Sequence, residues 1–116
     1  MALRDQPVMV EETGDTRILC LYGEHDNASA SKLEWRLRGA VRSGQPVVVD
    51  LTSCRFIDST SLGLVFHACQ SAPVHRFAVA VRPASAVSRL LDLIDFAAVV
   101  PVYDTREDAV TAVSNV

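Results

Sequence analysis

Apolar residues along this chain switch repeatedly between the period of a strand and the period of a helix. Residues 8–12 and 16–22 are short runs rich in Val, Ile and Leu on either side of Thr13-Gly14-Asp15. That arrangement predicts a β-hairpin. Gly23-Glu24-His25-Asp26 closes the second run. Over residues 28–42, Leu33, Leu37 and Val41 recur every four positions, one face of a helix. Asp26, Asn27 and Ser29 are acceptable caps for it, and Ser43-Gly44-Gln45-Pro46 is a stop signal. The β-branched run Val47-Val48-Val49 predicts a strand that is central or covered on both faces.

Residues 52–57 read as a short loop before a second helix, whose apolar positions are Leu62, Val65, Phe66 and Cys69 and whose end is Pro73. Phe77-Ala78-Val79-Ala80-Val81 is the next strand. Pro83 suits the first turn of a third helix carrying Val87, Leu90, Leu91 and Ile94. Val99-Val100-Pro101-Val102-Tyr103 predicts an edge strand, because Pro101 removes a ladder donor. Thr105 then caps a last helix reaching about Ser114, with Glu107 and Asp108 favourably placed in its first turn. Strands alternating with helices imply parallel strands joined by crossovers. The expected fold class is α/β: a small mixed, mostly parallel sheet with an N-terminal hairpin and helices packed mainly on one face. All 116 residues fit one domain with a core over about 8–113.

Composition narrows the functions open to such a domain. Hydrophobic residues make up 49 % and charged residues 22 %, as in ordinary globular proteins. The net charge is -3, and ten of the eleven basic residues are scattered arginines, Arg36, Arg38 and Arg42 being the nearest to a cluster. No basic stripe of the kind nucleic acids require is present. Cys20 and Cys69 fall on apolar positions, where cysteine acts as a small buried hydrophobe. With Cys54 they form no CxxC or Cys/His spacing for zinc. Residues 1–6 lack the apolar segment of a signal peptide, and no run has the length of a membrane span, so a cytoplasmic location is expected.

The chemistry concentrates at Asp58-Ser59-Thr60-Ser61, where a strand region turns into a helix. Unpaired N–H groups at a helix start favour an anion. A hydroxyl there either caps the helix or accepts a phosphate, which adds about -1.5 to -2 charges. A serine nucleophile would need a base, but G-x-S-x-G is absent, and His25, His67 and His75 read as surface or helix-packing residues. Gly63 stands alone without a phosphate loop and reads as a point of close packing.

Asp58-Ser59-Thr60-Ser61-Leu62-Gly63 after a Val-rich strand and Phe56-Ile57 resembles the signature of STAS domains, in particular bacterial anti-sigma factor antagonists. Gly23-Glu24-His25-Asp26 is similar to their G-E-x-D, and Arg89-Leu90-Leu91-Asp92-Leu93 to a segment of their third helix. The resemblance implies that Ser59 is the phosphorylation site and that the protein is a regulatory binding module rather than an enzyme. Unphosphorylated, it would bind a kinase-type anti-sigma factor of the histidine-kinase-like ATPase fold and so release a sigma factor. A serine phosphatase would reverse the modification. Asp26, Asp58, Thr60, Ser61, Leu62 and Gly63 would belong to the partner surface, no cofactor is implied, and a weak homodimer would be a further association.

Two positions depart from the family pattern. Ser61 replaces a common glycine, which would set a side chain at the rim of the interface and alter partner choice. Asp95 also replaces a glycine, and Asp tolerates the left-handed conformation better than most residues. Two alternatives stay open: the STAS subunit of an ABC-type lipid transport complex, and a hydrolase using Ser59.

Overall fold

The computed structural model describes residues 8–114; the leaderless start read at residues 1–6 lies outside them. β1 (Val8–Thr13) and β2 (Thr16–Leu21) pair antiparallel with Thr13 opposite Thr16, so Gly14-Asp15 is a two-residue hairpin turn with Gly14 at φ +58°. The chain continues through β3 (Gly23–His25), α1 (Ala30–Arg42), β4 (Val47–Asp50), β5 (Cys54–Ile57), α2 (Ser59–Ser71) and β6 (Phe77–Ala80). It ends with α3 (Ala86–Leu93), a short 3-10 turn (Phe96–Ala98), β7 (Val102–Tyr103) and α4 (Arg106–Val113). The main sheet has the order β1-β2-β4-β6-β7, and every pairing beyond the hairpin is parallel. This is the expected mostly parallel α/β sheet.

Strand alternation divides the interior into two layers. Leu19, Leu21, Val47, Val49, Phe77 and Val79 join the core that includes Leu33 and Leu37 of α1, Leu62 and Val65 of α2, and Val87 and Leu91 of α3. The opposite sheet face is covered by α4. There Ile18, Cys20, Val48, Ala78 and Ala80 meet Ala109 and Val113. Small side chains on that face let an eight-residue helix lie close to the sheet.

The start of α4 is held by a polar cluster. Arg106 donates from Nε to Asp50 at 2.8 Å, from Nη1 to Glu11 at 2.8 Å and from Nη2 to the Cys20 sulfur at 3.0 Å. The second oxygen of Asp50 accepts from the Thr52 amide at 2.9 Å and its hydroxyl at 2.7 Å. Burial opposes the Arg106 charge, but the hydrogen bonds to Asp50 and Glu11 outweigh it and hold the pKa above the ordinary arginine value. Burial pushes the Cys20 thiol up to about 11, with Arg106 pulling the other way and Glu11 adding to the rise. Burial likewise raises Cys54 to about 11, against the backbone bond at Phe56.

Four details differ from the sequence reading. Residues 54–57 form a strand rather than a loop, because Gly23, at φ +71°, lets the chain leave β2 and pair alongside them. Pro83 precedes α3 rather than opening it; Ser85 is the cap and accepts from the Ser88 amide at 3.0 Å. The edge strand is only Val102–Tyr103, because residues 96–98 close a 3-10 turn that buries Phe96. Among the histidines, His25 is fully buried in β3, while His67 and His75 are exposed.

Candidate functional site around Ser59

Two strands leave the C-terminal end of the main sheet and pair parallel, with His25 opposite Ile57. The Asp58 amide donates to the His25 carbonyl at 3.0 Å, which extends that pairing by one step. Asp26 and Asp58 therefore follow adjacent paired strands, and α1 and α2 start just beyond them. The two motifs, Gly23-Glu24-His25-Asp26 and Phe56-Ile57-Asp58-Ser59, form one surface through a two-stranded sheet that the sequence pattern concealed. Ligand and partner sites commonly collect at the carboxyl ends of strands in such sheets.

Asp58 is the N-cap of α2: its backbone is extended, and Oδ1 accepts from the Ser61 amide at 2.8 Å. Ser59 occupies the first helical position and Thr60 the second, both exposed. Among the described residues the Ser59 hydroxyl has no hydrogen-bond partner. The choice between cap and acceptor thus resolves onto two residues, with the capping done by Asp58 and the Ser59 hydroxyl left outside the fold's hydrogen bonds. The amides of Ser59 and Thr60 have no acceptor within the helix and face its N-terminal end. Asp26 is exposed, and its Oδ1 accepts from the Ala28 amide at 3.0 Å, shaping the turn into α1. Ser29, the α1 cap position, makes no capping bond with its side chain.

Two of the expected surface residues are interior. Ser61 is 0 % exposed and its Oγ has no partner, so it does not set a side chain at the rim as the family comparison of glycine with serine suggested. Leu62 is 3 % exposed and belongs to the core. At about 100° per residue Ser61, two positions after the exposed Ser59, points to the opposite side of α2, and Leu62 starts the core-facing row that continues with Val65. Gly63 is not a close-packing point: a Cβ there would meet no atom within 4 Å. Asp95 does adopt the left-handed conformation, at φ 54°, ψ 42°.

Beside Ser59 runs an apolar groove of about 290 Å³ between α2 and the α3 end, lined by Leu62, Phe66, Leu90, Ile94, Phe96 and Val99. Of its lining residues, Ile94 and Val99 are half exposed. This groove was missed from sequence, although Leu90-Leu91-Asp92-Leu93-Ile94 holds more apolar residues than one buried face can use. No histidine makes a hydrogen bond to Ser59 among the described residues. His67 lies eight positions further along α2, about 12 Å of helix rise away.

The STAS domain family model matches residues 7–109. The chain belongs to the STAS domain family. Solved STAS folds agree with it in architecture. An anti-sigma factor antagonist from Mycobacterium paratuberculosis is 27 % identical, with 91 % of this chain and 92 % of that one covered and a TM-score of 0.83. The anti-sigma factor antagonist SpoIIAA in its unphosphorylated form is 19 % identical, with 94 % and 99 % covered and a TM-score of 0.68. The Bacillus cell fate determinant SpoIIAA in the phosphorylated form is 20 % identical, with 92 % and 99 % covered and a TM-score of 0.65. No match was found among curated proteins. No helix among the described residues of this STAS domain is long and apolar enough to cross a membrane.

Proposed function

We propose that this STAS domain is a cytoplasmic anti-sigma factor antagonist switched by phosphorylation of Ser59. Its partner is a kinase-type anti-sigma factor, bound when Ser59 is unmodified and released when it is phosphorylated, and a serine phosphatase resets the cycle. The observation that carries the reading is the exposed, unbonded Ser59 hydroxyl directly after a cap supplied by Asp58. A phosphate can be added there without removing the hydrogen bond that starts α2. The helix end favours the new anion, while Asp58 and Asp26 oppose it, so the modification alters the surface more than the fold.

Exposed apolar residues beside Ser59 support a protein partner. Ile94 and Val99 are exposed in the groove that Ser59 lines, and burying them against a partner favours association. A phosphate of about -2 charge at the rim of such a contact would have to be desolvated, which weakens it. The solved relatives named as anti-sigma factor antagonists, among them SpoIIAA in both phosphorylation states, support the same reading.

The test is incubation with the candidate anti-sigma kinases of the source organism and ATP, read by phosphopeptide mass spectrometry and by binding affinity. Wild type is expected to gain one phosphate at Ser59 and Ser59→Ala none. Ser59→Asp is expected to bind the unmodified protein's partner at least about tenfold more weakly, about 1.4 kcal/mol. Labelling that persists in Ser59→Ala, or equal affinity of Ser59→Asp, overturns the proposal.

A further inference from the structure

A second groove lies between the C-terminal halves of α1 and α2 and has a volume of about 440 Å³. Its floor is apolar, from Leu37, Val41, Leu64 and Ala68. Its rim is basic, from Arg38 and Arg42, with His67 opposite. The single acid on the rim, Glu34, is already bound to Arg38 at 3.0 Å, and Arg42 has no acidic partner among the described residues. The polarity of α1 is unusual for this molecule. It carries Lys32, Arg36, Arg38 and Arg42 against Glu34 alone, in a chain whose net charge is -3.

Next to this rim stands Trp35, the chain's one tryptophan, 70 % exposed, with the Arg36 guanidinium 5.2 Å from its ring centroid. Trp35 is a helix-surface neighbour of Arg38 and Gly39, three and four positions on. Gly39 is exposed, and a Cβ there would meet no atom within 4 Å, so packing inside the chain does not require a glycine. Glycine within a helix is unfavourable relative to alanine, yet here it leaves a flat step beside an exposed tryptophan. Tryptophan and arginine are the side chains that most often anchor protein interfaces.

This surface is separate from Ser59. Arg76 donates from Nη2 to the Gly44 carbonyl at 3.3 Å, joining the loops that follow α2 and α1 where they enter β6 and β4. The groove therefore opens towards the N-terminal ends of the strands, whereas Ser59 lies at their C-terminal ends.

From the apolar floor, the basic rim and the exposed Trp35, we infer that the α1–α2 groove docks an acidic amphipathic helix of a second protein partner. The partner's apolar side chains enter over Leu64 and Ala68, and its carboxylates meet Arg38 and Arg42. A concave floor between two helices fits a helix better than a flat membrane, and an apolar floor does not suit a nucleic-acid backbone.

Trp35 is the reporter. The full chain is titrated with a designed peptide of about 18 residues, Leu on one face and Glu on its flanks, long enough to form a helix when bound. Saturable blue-shifted Trp35 emission is expected, with no shift for the same peptide carrying Lys in place of Glu. Arg38→Glu/Arg42→Glu, two surface changes whose folding is checked by circular dichroism, should weaken binding at least about tenfold. Ser59→Asp should bind the peptide as the wild type does. The inference is overturned if the Glu peptide gives no shift, if the Lys peptide binds equally, or if Ser59→Asp loses binding. It is also overturned if phosphatidylglycerol vesicles or duplex DNA shift Trp35 emission while the Glu peptide does not.

Discussion

At the residue scale, Asp58 and Ser59 show how adjacent polar side chains take different tasks. Asp58 accepts from the Ser61 amide at 2.8 Å, so Asp58→Ala should lose about 1 kcal/mol in a denaturant titration. Ser59→Ala removes no hydrogen bond and should stay within about 0.5 kcal/mol of wild type. Equal losses for the two variants would return the capping role to Ser59. The left-handed residues offer an opposite sign. Ala84 sits at φ 62°, where a Cβ is strained, and Ala84→Gly should raise stability by about 1 kcal/mol. Asp95 at φ 54° is in a conformation that Asp tolerates better, so Asp95→Gly should gain less than Ala84→Gly in the same titration. Ser61 remains the family departure, but its hydroxyl is interior and unpartnered, and any influence on a partner must pass through the first turn of α2.

At the element scale, α4 depends on its first residue. It has only eight residues and a small contact face, too short to persist without tertiary support. Arg106 ties it to Asp50 of β4 and Glu11 of β1. Asp50 is 5 % exposed at its side chain, so Arg106→Ala leaves a buried carboxylate without its countercharge. A loss of about 3 kcal/mol is expected on thermal or denaturant unfolding. Glu11→Ala removes the exposed arm of the cluster, leaves the Asp50 bond in place and should cost about 1 kcal/mol or less. If both variants lose the same amount, the buried pair is not what holds α4. The Arg106 partners could not be read from sequence, since they come from positions 56 and 95 residues away.

At the scale of the whole molecule, the two deeply placed thiols link stability to alkaline pH. Cys20 and Cys54 are raised by burial from 9.0 to about 11 in the folded state. The folded protein thus holds these protons more tightly than the unfolded chain. Their contribution is complete below pH 9 and is lost as pH rises towards about 11, where the unfolded chain gains from ionising first. Thermal midpoints measured from about pH 8 to 11 should fall, and a Cys20→Ala/Cys54→Ala variant should show a shallower fall. An unchanged slope would assign the loss to other groups.

Periodicity alone was enough for the hairpin, the four helices and a mostly parallel sheet, because each buried face repeats within a few neighbouring residues; the strand order came from the tertiary structure. The Asp58-Ser59 motif was legible for the same reason: cap, hydroxyl and helix start are contiguous. Tertiary structure decided what depends on distant partners. It made a strand of residues 54–57 by giving them β3 as a neighbour, and it turned Ser61 and Leu62 inward under the core. It also placed α3 residues beside Ser59 and assembled the Arg106 cluster from three separate elements. Local spacing determines which face of an element is apolar; only packing determines what that face meets.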